Sequence, residues 1–318
     1  MHLGIEIGGT KLQMGVGLPT QATLTTLERL DIKASAGAEG ILQQIEKTAP
    51  ALIERFGVKK VGIGFGGPLD STTGVVTTSH QVAGWDQFPL GDWCQQKLGL
   101  PASLGNDCDV ATLAEAALGA GKGARSVFYV TVGTGVGGGF VVAGNAPAAG
   151  RPAAAEIGHL RPGPLATSTS ETVESIASGW GIVDRTRRKI QEAKPENLEQ
   201  VADLLARCQD QPDNLTGQHV ASAAGEGNPL AAGILAHAIR VLGWAVAQVI
   251  TLQAPEVIVV GGGVSLIGEK EFFEPLREAV AQYVFSPLRG SYQVLPAALG
   301  ELAVVHGAII QAGRASTR

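Results

Sequence analysis

Four side chains that can bind a metal or a polar ligand lie within the stretch EIGHLRPGPLATSTSETVESIASG, residues 156–179. They are Glu156, His159, Glu171 and Glu174, and a loop rich in proline, serine and threonine separates the first pair from the second. Carboxylates and imidazoles ligate metals, and carboxylates also accept hydrogen bonds from polar ligands. The stretch therefore predicts either a metal site or a polar pocket.

The composition is that of a globular protein and argues against several functions. The chain has 318 residues, of which 45% are hydrophobic and 17% are charged, with a formal net charge of −5. This length predicts two domains at roughly 150 residues per domain, and the negative charge argues against a broad nucleic-acid surface. Because Cys94, Cys108 and Cys208 form no CxxC pair, we expect neither a disulfide framework nor a structural zinc site.

The N-terminal segment and the most apolar segment of the sequence are informative about the cellular location of the protein. An apolar strand pattern begins within two residues of Met1, without the charged and apolar regions of a signal peptide. The apolar segment 230–252 is interrupted by His237, Arg240 and Gln248, so it predicts a buried core helix and not a membrane span. We expect a cytoplasmic protein that binds neither membrane nor nucleic acid.

Two patterns of strand followed by glycine turn each occur twice. The segments LGIEIGGTKLQMGVG (3–17) and VFYVTVGTGVGGGFVVAG (127–144) both read as strand, glycine and threonine turn, strand. The segments KKVGIGFGGPLD (59–70) and PEVIVVGGGVSL (255–266) both run from a strand into a glycine cluster. The repetition predicts two similarly built α/β lobes.

Helical spacing and capping residues predict helices between these strands, at 40–57, from Asp107 or Asp109 onward, at 228–252 and at 300–313. We place the first lobe at residues 1–118, joined by a returning C-terminal helix at 301–318. The second lobe is then 119–300.

The glycine turns are suited to binding phosphate. Glycine allows tight curvature, so that successive N–H groups point at one anion, and a threonine hydroxyl adds a donor. Gly133, Gly135 and Gly138 also match GxGxxG, but a strand and not a helix follows them, which argues against a dinucleotide-binding fold. Either turn alone is equally well explained as a plain hairpin turn, whereas two matching turns favour phosphate binding. A third cluster, Gly261 to Gly263, would admit a flat base or a ribose. The nucleotide-binding candidates are Gly8, Gly9, Thr10, Lys11, Gly133, Thr134, Gly135, Gly137, Gly261, Gly262 and Gly263.

Taken together, these segments resemble the ROK-family sugar kinases of the actin-like ATPase superfold. IEIGGTK and TVGTGVGGG resemble the two phosphate motifs, PEVIVVGGGV the adenosine motif, and HGAIIQA the closing helix. The resemblance covers nearly the whole chain in the correct order. It implies a two-lobed α/β fold, a duplicated ribonuclease H-like unit with an interlobe cleft, that uses ATP and Mg²⁺ to phosphorylate a sugar.

The segment GNDCDVATLAEA, residues 105–116, resembles the family's catalytic segment. The resemblance implies that Asp107 is the general base for the attacking sugar hydroxyl, that Asn106 holds neighbouring hydroxyls, and that Gly67 also contacts the sugar. A carboxylate at the nucleophile suits phosphoryl transfer, which needs a positioned alcohol and a proton acceptor. The alternative is that Asn106 and Asp107 only cap a helix.

By the same resemblance, Glu156 and His159 match a sugar-contacting pair and Glu174 matches a further sugar-binding glutamate. Carboxylates suit this role because each accepts two hydroxyl hydrogen bonds. Glu171 matches no family position, and we expect it to be solvated.

Three departures from the family pattern limit this transfer of roles. Residues 160–173 contain no cysteine, so we expect no zinc where relatives bind it, and proline and local Ser/Thr hydrogen bonds must hold the loop unless it orders only with ligand. Glu6 stands where the family has aspartate; it is a candidate Mg²⁺ ligand whose extra methylene would shift the contact. Gln81 stands where relatives often have asparagine, which bears on the sugar preference.

The sequence thus predicts an ATP- and Mg²⁺-dependent kinase for the primary hydroxyl of a hexose, with glucose first and an N-acetylhexosamine next, acting as a homodimer. Two alternatives stay open: a catalytically degenerate sugar-binding or regulatory protein, and a glucokinase that uses polyphosphate. We do not expect a sugar-responsive repressor. Repressors of this family carry an N-terminal helix-turn-helix extension, whereas the first strand pattern here begins within two residues of Met1.

Overall fold

The computed structural model describes residues 1–79, 81–145 and 154–314. Its strands are β1 His2–Ile7, β2 Lys11–Gly17, β3 Leu24–Asp31, β4 Lys60–Phe65, β5 Leu69–Asp70, β6 Val75–Val76, β7 Ala102–Asn106, β8 Ser126–Val132, β9 Val136–Val142, β10 Val257–Gly261 and β11 Gln293–Pro296. Its α-helices are α1 Gly37–Phe56, α2 Leu90–Leu98, α3 Asp107–Leu118, α4 Val173–Ala177, α5 Gly179–Gln191, α6 Leu198–Arg207, α7 Gly217–Gly225, α8 Pro229–Gln253, α9 Glu274–Tyr283 and α10 Ala303–Arg314.

The first sheet has the strand order β3-β2-β1-β4-β7. Strands β1, β2 and β3 are antiparallel neighbours, whereas β4 and β7 run parallel to β1. Helices α1 and α10 pack on this sheet, and every residue from Leu3 to Ile7 is buried. Strands covered on both faces are apolar almost throughout. The buried polar residues on β1 and β2 are Glu6 and Gln13, which face each other in the strand register.

The second sheet has the order β11-β10-β8-β9, with β10 and β11 parallel. Every residue of β10 is buried, as its run of four apolar residues predicts. The turn from Gly133 to Gly135 joins β8 to β9, so these strands form the second of the predicted glycine hairpins.

Helix α8 is long and apolar enough to cross a membrane by length and composition, with a mean hydropathy of 1.7 over its most apolar window. It packs against α4, α7 and α9, and 61% of that window is buried inside the protein. These contacts are those of a core helix, and the predicted helix at 228–252 is present.

The chain divides into two compact units. The first contains the described residues of 1–129, 139–155 and 297–318, and the second contains 130–138 and 156–296. In the first unit, α10 packs on β1, β4 and α3. The lobe boundaries given above, 1–118 with 301–318 and 119–300, stay a prediction.

Candidate active site

Three parallel strands of the first unit end at the same edge of their sheet. Beyond β1 lies the turn Gly8 to Thr10, beyond β4 lie Gly66 and Gly67, and β7 leads directly into Asp107. The Gly66 N–H donates to the Ile7 carbonyl at 2.9 Å, which ties two of these segments together. Ligands of open α/β sheets bind at the carboxyl ends of the strands, and this edge carries the predicted phosphate turn and the predicted base.

Asn106 and Asp107 begin helix α3. Asn106 is the N-cap, and its Oδ1 accepts from the Cys108 N–H at 2.9 Å while its Nδ2 donates to the Gly67 carbonyl at 3.3 Å. The Cys108 N–H also donates to Asp107 Oδ1 at 2.8 Å. The capping role that the sequence left open is therefore present, and it fixes the position of both side chains. The Asn106 bond to Gly67 links two residues predicted to contact the sugar.

The electrostatic setting of Asp107 suits a proton acceptor. Burial raises the pKa of the Asp107 carboxyl, and the hydrogen bonds from Cys108 lower it by less, so the net shift is upward. Because Oδ1 accepts from the backbone, Oδ2 is the oxygen that faces Gly66, where a Cβ would lie 3.4 Å from it. A more basic carboxylate is a stronger general base, provided that it is ionised at the working pH.

Glu6 lies one residue before the end of β1, beside the first glycine turn. Its Oε1 is 3.5 Å from Lys11 Nζ, and its Oε2 accepts from Gln13 Nε2 at 2.9 Å. Burial raises the pKa of Glu6 to about 7; the Lys11 ammonium opposes this shift and the Asp107 carboxylate adds to it. The charge of Asp107 at the same edge thus acts on the pKa of Glu6.

In the second unit, the backbone of Val136 lies beside both segments that carry predicted sugar contacts. Glu156 precedes the short 3-10 turn Ile157–His159 and His159 ends it, and Gly158 in this turn approaches the Val136 carbonyl so closely that a Cβ would collide with it. Glu174, on α4, accepts the Val136 N–H through Oε2 at 2.8 Å. Glu156 and His159 are exposed and Glu174 is half-buried. Their sugar-binding role stays a prediction.

Local hydrogen bonds hold the loop between His159 and Glu174. The Val173 N–H donates to the Leu160 carbonyl at 2.8 Å, which closes the base of the loop. Thr172 and Ser175 form a capping box at the start of α4, and Ser168 and Ser170 share a hydrogen bond of 2.7 Å. Thus serine and threonine occupy the stretch where cysteines would be needed for a thiolate site.

The second unit also contains a cavity of about 1230 Å³. The β8–β9 turn and the first turns of α5 and α7 form part of its wall, so backbone N–H groups at helix N-termini line it. Its apolar lining and a few polar groups suit a flat base with an attached ribose. The residues that line the cavity include Gly133, Thr134, Gly179, Trp180, Gly217, Gln218, Gly263, Val264 and Leu266.

Residues 2–314 match the ROK family. The chain belongs to this family. It is 31% identical over 310 residues to a glucokinase from Thermotoga maritima, with 96% of this chain and 95% of the relative covered. The ROK family glucokinase from Streptomyces griseus, solved in complex with glucose and AMPPNP, superposes with a TM-score of 0.82 at 31% identity and 99% coverage of both chains. The ROK hexokinase from Thermus thermophilus has a TM-score of 0.78 at 27% identity, with 98% of this chain and 97% of that chain covered. These similarities confirm the predicted actin-like ATPase fold.

The residues predicted to bind nucleotide fall into two groups. One lies in the second unit, at the β8–β9 hairpin and the end of β10, and the other forms the turn after β1. Gly133, Thr134 and Gly263 line the cavity. Gly262 has a φ of 89° and packs on the backbone of Val132, so no side chain fits there. Gly261 is the buried end of β10, Gly137 lies within β9, and Gly135 packs against the Glu174 carboxylate. Gly8, Gly9, Thr10 and Lys11 form and follow the first turn, which the Gly8 N–H closes on the Lys11 carbonyl at 3.1 Å.

Sequence reasoning missed Trp180 and Gln218, which also line the cavity. Both lie in the first turn of a ROK helix, next to a glycine and after an N-cap, Ser178 for α5 and Thr216 for α7. A Ser or Thr cap followed by glycine was the available signal, since it exposes backbone N–H groups at a helix start.

The first hairpin of the ROK chain has donors that fit Mg²⁺ bound with a nucleotide. Mg²⁺ is held by one or two carboxylates together with phosphate oxygens and water. Glu6 is a buried carboxylate at the edge of the sheet, and burial raises its pKa by more than the nearby Lys11 ammonium lowers it. In the described residues no group of three or more His, Cys, Asp or Glu side chains could hold a metal unaided, so phosphate and water would have to complete the shell.

Proposed function

We propose that the protein transfers the γ-phosphoryl group of ATP to the primary hydroxyl of a hexose, with glucose as the first substrate and an N-acetylhexosamine as the second. The observation that carries this proposal is the full-length similarity to glucokinases within the ROK family, at 31% identity for the Thermotoga maritima enzyme. The edge of the first sheet, where Asp107 follows β7, supplies the chemistry that such a transfer needs.

Asp107 would act as the general base. The sugar hydroxyl would donate its proton to Oδ2 while its oxygen attacks the γ-phosphorus, and the bond from that phosphorus to the bridging oxygen of ADP would break. The raised pKa of Asp107 makes the carboxylate a better proton acceptor. The bonds of Oδ1 and of Asn106 at the start of α3 would hold the base in one orientation.

The sugar would be held by the side chains that the family resemblance assigns to it. Asn106 retains one amide hydrogen beyond its bond to Gly67, and Glu174 retains a second oxygen beyond its bond to Val136. Glu156 and His159 would add an acceptor and a donor from their turn. A carboxylate accepts from two vicinal hydroxyls at once, which would favour a sugar over a simple alcohol.

The nucleotide would place its base and ribose in the cavity beside Trp180, and its phosphates at the glycine turns. Thr134 lines that cavity and Lys11 lies beside the first turn. Bound with the phosphates, Mg²⁺ would neutralise their charge during the transfer. Glu6, with Asp107 nearby, is the residue that would hold it.

We further propose a cytoplasmic homodimer. The burial of the Cys94 and Cys208 thiols as free cysteines is compatible with a reducing compartment. Light scattering during size-exclusion chromatography would test the dimer, and a monomer mass would contradict it.

The test of the function is ADP release measured with a panel of sugars. Glucose, mannose, fructose, N-acetylglucosamine and N-acetylmannosamine would each be offered with ATP and Mg²⁺, and product formation would also be measured with polyphosphate as donor. We expect glucose-dependent ADP release that Asp107→Asn slows about 10³-fold. A glucose-induced rise in melting temperature without ADP would instead indicate a sugar-binding protein, and turnover with polyphosphate alone would contradict the choice of ATP.

A further inference from the structure

A row of three polar side chains crosses the antiparallel half of the first sheet. Glu6 on β1 is opposite Gln13 on β2, and Gln13 is opposite Arg29 on β3. Directly opposed residues in adjacent strands have their side chains on the same face, about 4.5–5.5 Å apart at Cβ. The row therefore begins at the exposed Arg29 and ends at the carboxylate beside the first glycine turn.

The Gln13 amide makes a directed bond to each of its neighbours. Its Oε1 accepts from Arg29 Nε at 3.2 Å, while its Nε2 donates to Glu6 Oε2 at 2.9 Å and to the Glu301 carbonyl at 3.3 Å. If the amide were turned over, its NH₂ would face the guanidinium and its oxygen would face the carboxylate, and each contact would become repulsive. Arg29 thus fixes the orientation in which Gln13 donates to Glu6.

The burial of Gln13 indicates that its amide has a specific role. Gln13 is 1% exposed and lies between the fully buried Leu12 and Met14. A buried amide costs free energy unless it is hydrogen-bonded, and an apolar residue of the same size would avoid that cost. The amide does have a specific effect on Glu6: Lys11 approaches Oε1 and Gln13 bonds Oε2, so both carboxylate oxygens are engaged.

We propose that Gln13, oriented by Arg29, is a positioning residue that holds the Glu6 carboxylate in one rotamer beside the phosphate-binding turn. This inference rests on the proposed function, in which Glu6 faces the nucleotide phosphates and Mg²⁺. A glutamate has several rotatable bonds, and fixing them costs conformational entropy. Because the hydrogen bonds of the row form during folding, the Glu6 side chain is already ordered before the nucleotide binds.

The test compares Gln13→Met with the parent and with Gln311→Met. Methionine keeps the length of the side chain and removes the amide. Gln311 is a matched control, because its amide donates to the Leu104 carbonyl, and Gln311→Met also deletes a partly buried amide bond in the same unit. The first readout is the Mg²⁺ concentration that gives half of the melting shift produced by MgADP. The second is the steady-state kinetics with glucose and ATP.

We expect Gln13→Met to raise the half-saturating Mg²⁺ concentration about tenfold and to lower kcat about tenfold, the range seen when a partner of a metal ligand is lost. The KM for glucose should change by less than about twofold, and Gln311→Met should change neither Mg²⁺ dependence nor kcat. If Gln13→Met lowers only the melting temperature, as the control does, the residue is structural and the proposal is overturned.

A double-mutant cycle with Glu6→Ala tests whether Gln13 acts through Glu6. In the Glu6→Ala background, Gln13→Met should have no further effect on Mg²⁺ dependence, whereas equal effects in both backgrounds would contradict the proposal. If Gln13→Met does not fold, Arg29→Met removes the orienting partner from the exposed end of the row and should shift the Mg²⁺ dependence in the same direction.

The two proposals fail in distinguishable ways. A parent protein that shows the MgADP melting shift without glucose-dependent ADP release would contradict the kinase, yet the Mg²⁺ titration would still test Gln13. A parent that is an active kinase, with Gln13→Met unchanged in both readouts, would contradict only the positioning role.

Discussion

The two glycine-tipped hairpins share a sequence plan but differ in where their chemical groups come from. The β1–β2 hairpin carries its own: Glu6 precedes the turn, Lys11 follows it, and Gln13 bonds Glu6 across the strands. The β8–β9 hairpin has no charged side chain between residues 127 and 142. Its turn is held by neighbours, since the Gly133 carbonyl accepts from the Gly179 N–H at 2.8 Å and Glu174 accepts from the Val136 N–H at 2.8 Å.

This difference suggests that the two hairpins have different roles. A hairpin with its own carboxylate and ammonium can respond to charge that develops on the transferred phosphoryl group. A neutral hairpin anchored to helices α4 and α5 offers backbone donors and a fixed shape. We therefore expect substitutions in the first unit to change mainly kcat, and substitutions around the second hairpin to change mainly binding or stability.

The largest expected effect is that of Asp107→Asn, at the edge of the sheet that carries the first hairpin. The amide cannot accept the sugar proton, so kcat should fall about 10³-fold, within the usual range for a general base. Asp109→Asn, which removes the same charge from the same first turn of α3, is the control and should retain most activity. A steady-state assay with saturating glucose and ATP measures both. An Asp107→Asn enzyme within tenfold of the parent rate would show that the base lies elsewhere.

The elements that the sequence predicted well are those specified by neighbouring residues. The Asn-Asp pair before an apolar helical pattern indicated the start of α3, and Asn106 is its N-cap. The apolar run before Gly261 indicated β10, and the interrupted apolar segment at 228–252 indicated the core helix α8. In each case the signal is local, because capping and hydrophobic periodicity act within a few residues.

The features that the sequence did not predict depend on tertiary placement. The bond between Gln13 and Glu6 requires the β1–β2 register, and its orientation requires Arg29 from a third strand. Trp180 and Gln218 meet in one cavity only because α5 and α7 converge there. Glu174 bonds the Val136 backbone and Gly158 packs closely against it, although both lie far from Val136 in the sequence, and no local pattern encodes this placement.

The next largest effect concerns the pH dependence of stability, to which Glu6 should contribute in addition to Asp107, whose pKa is also raised. The pKa of Glu6 rises from 4.5 to about 7 on folding, so the folded state binds more protons than the unfolded state between these values. The free energy of unfolding should therefore fall as pH rises through this window, by about 3 kcal/mol for this group. Glu6→Gln should remove most of that loss, as measured by urea unfolding at pH 5 and pH 8.

Glu28→Gln is the control for this measurement, because it removes one exposed carboxylate from the adjacent strand β3. Its difference in stability between pH 5 and pH 8 should match that of the parent. A Glu6→Gln protein with the parent's pH slope would show that Glu6, in the first hairpin, does not contribute to the effect.

A smaller loss of stability is expected at the second hairpin from Glu174→Ala. The substitution leaves the buried Val136 N–H without its acceptor, which should lower the free energy of unfolding by about 2 kcal/mol. Glu174→Gln keeps an acceptor and should recover about half of that loss. Urea unfolding measures both variants. If the amide variant regains stability but raises the KM for glucose, the carboxylate also binds sugar; if Glu174→Ala is as stable as the parent, the hairpin is not anchored by this bond.

The smallest expected effects, and the sharpest comparison, come from the threonines at the two hairpin tips. Both Thr10 and Thr134 are exposed, and a valine replaces either hydroxyl with a methyl group of nearly the same shape. We expect the loss of one hydrogen bond at these exposed positions to cost about 1 kcal/mol, or about fivefold. At the second hairpin this should appear as a fivefold rise in the KM for ATP with kcat retained, since Thr134 lines the cavity proposed to hold the base and ribose. At the first hairpin it should appear in kcat, because Thr10 lies between Gly9 and Lys11, beside the carboxylates of the transfer site. If the two variants change the same kinetic constant by the same factor, the two hairpins have the same role, and the proposed difference between them is wrong.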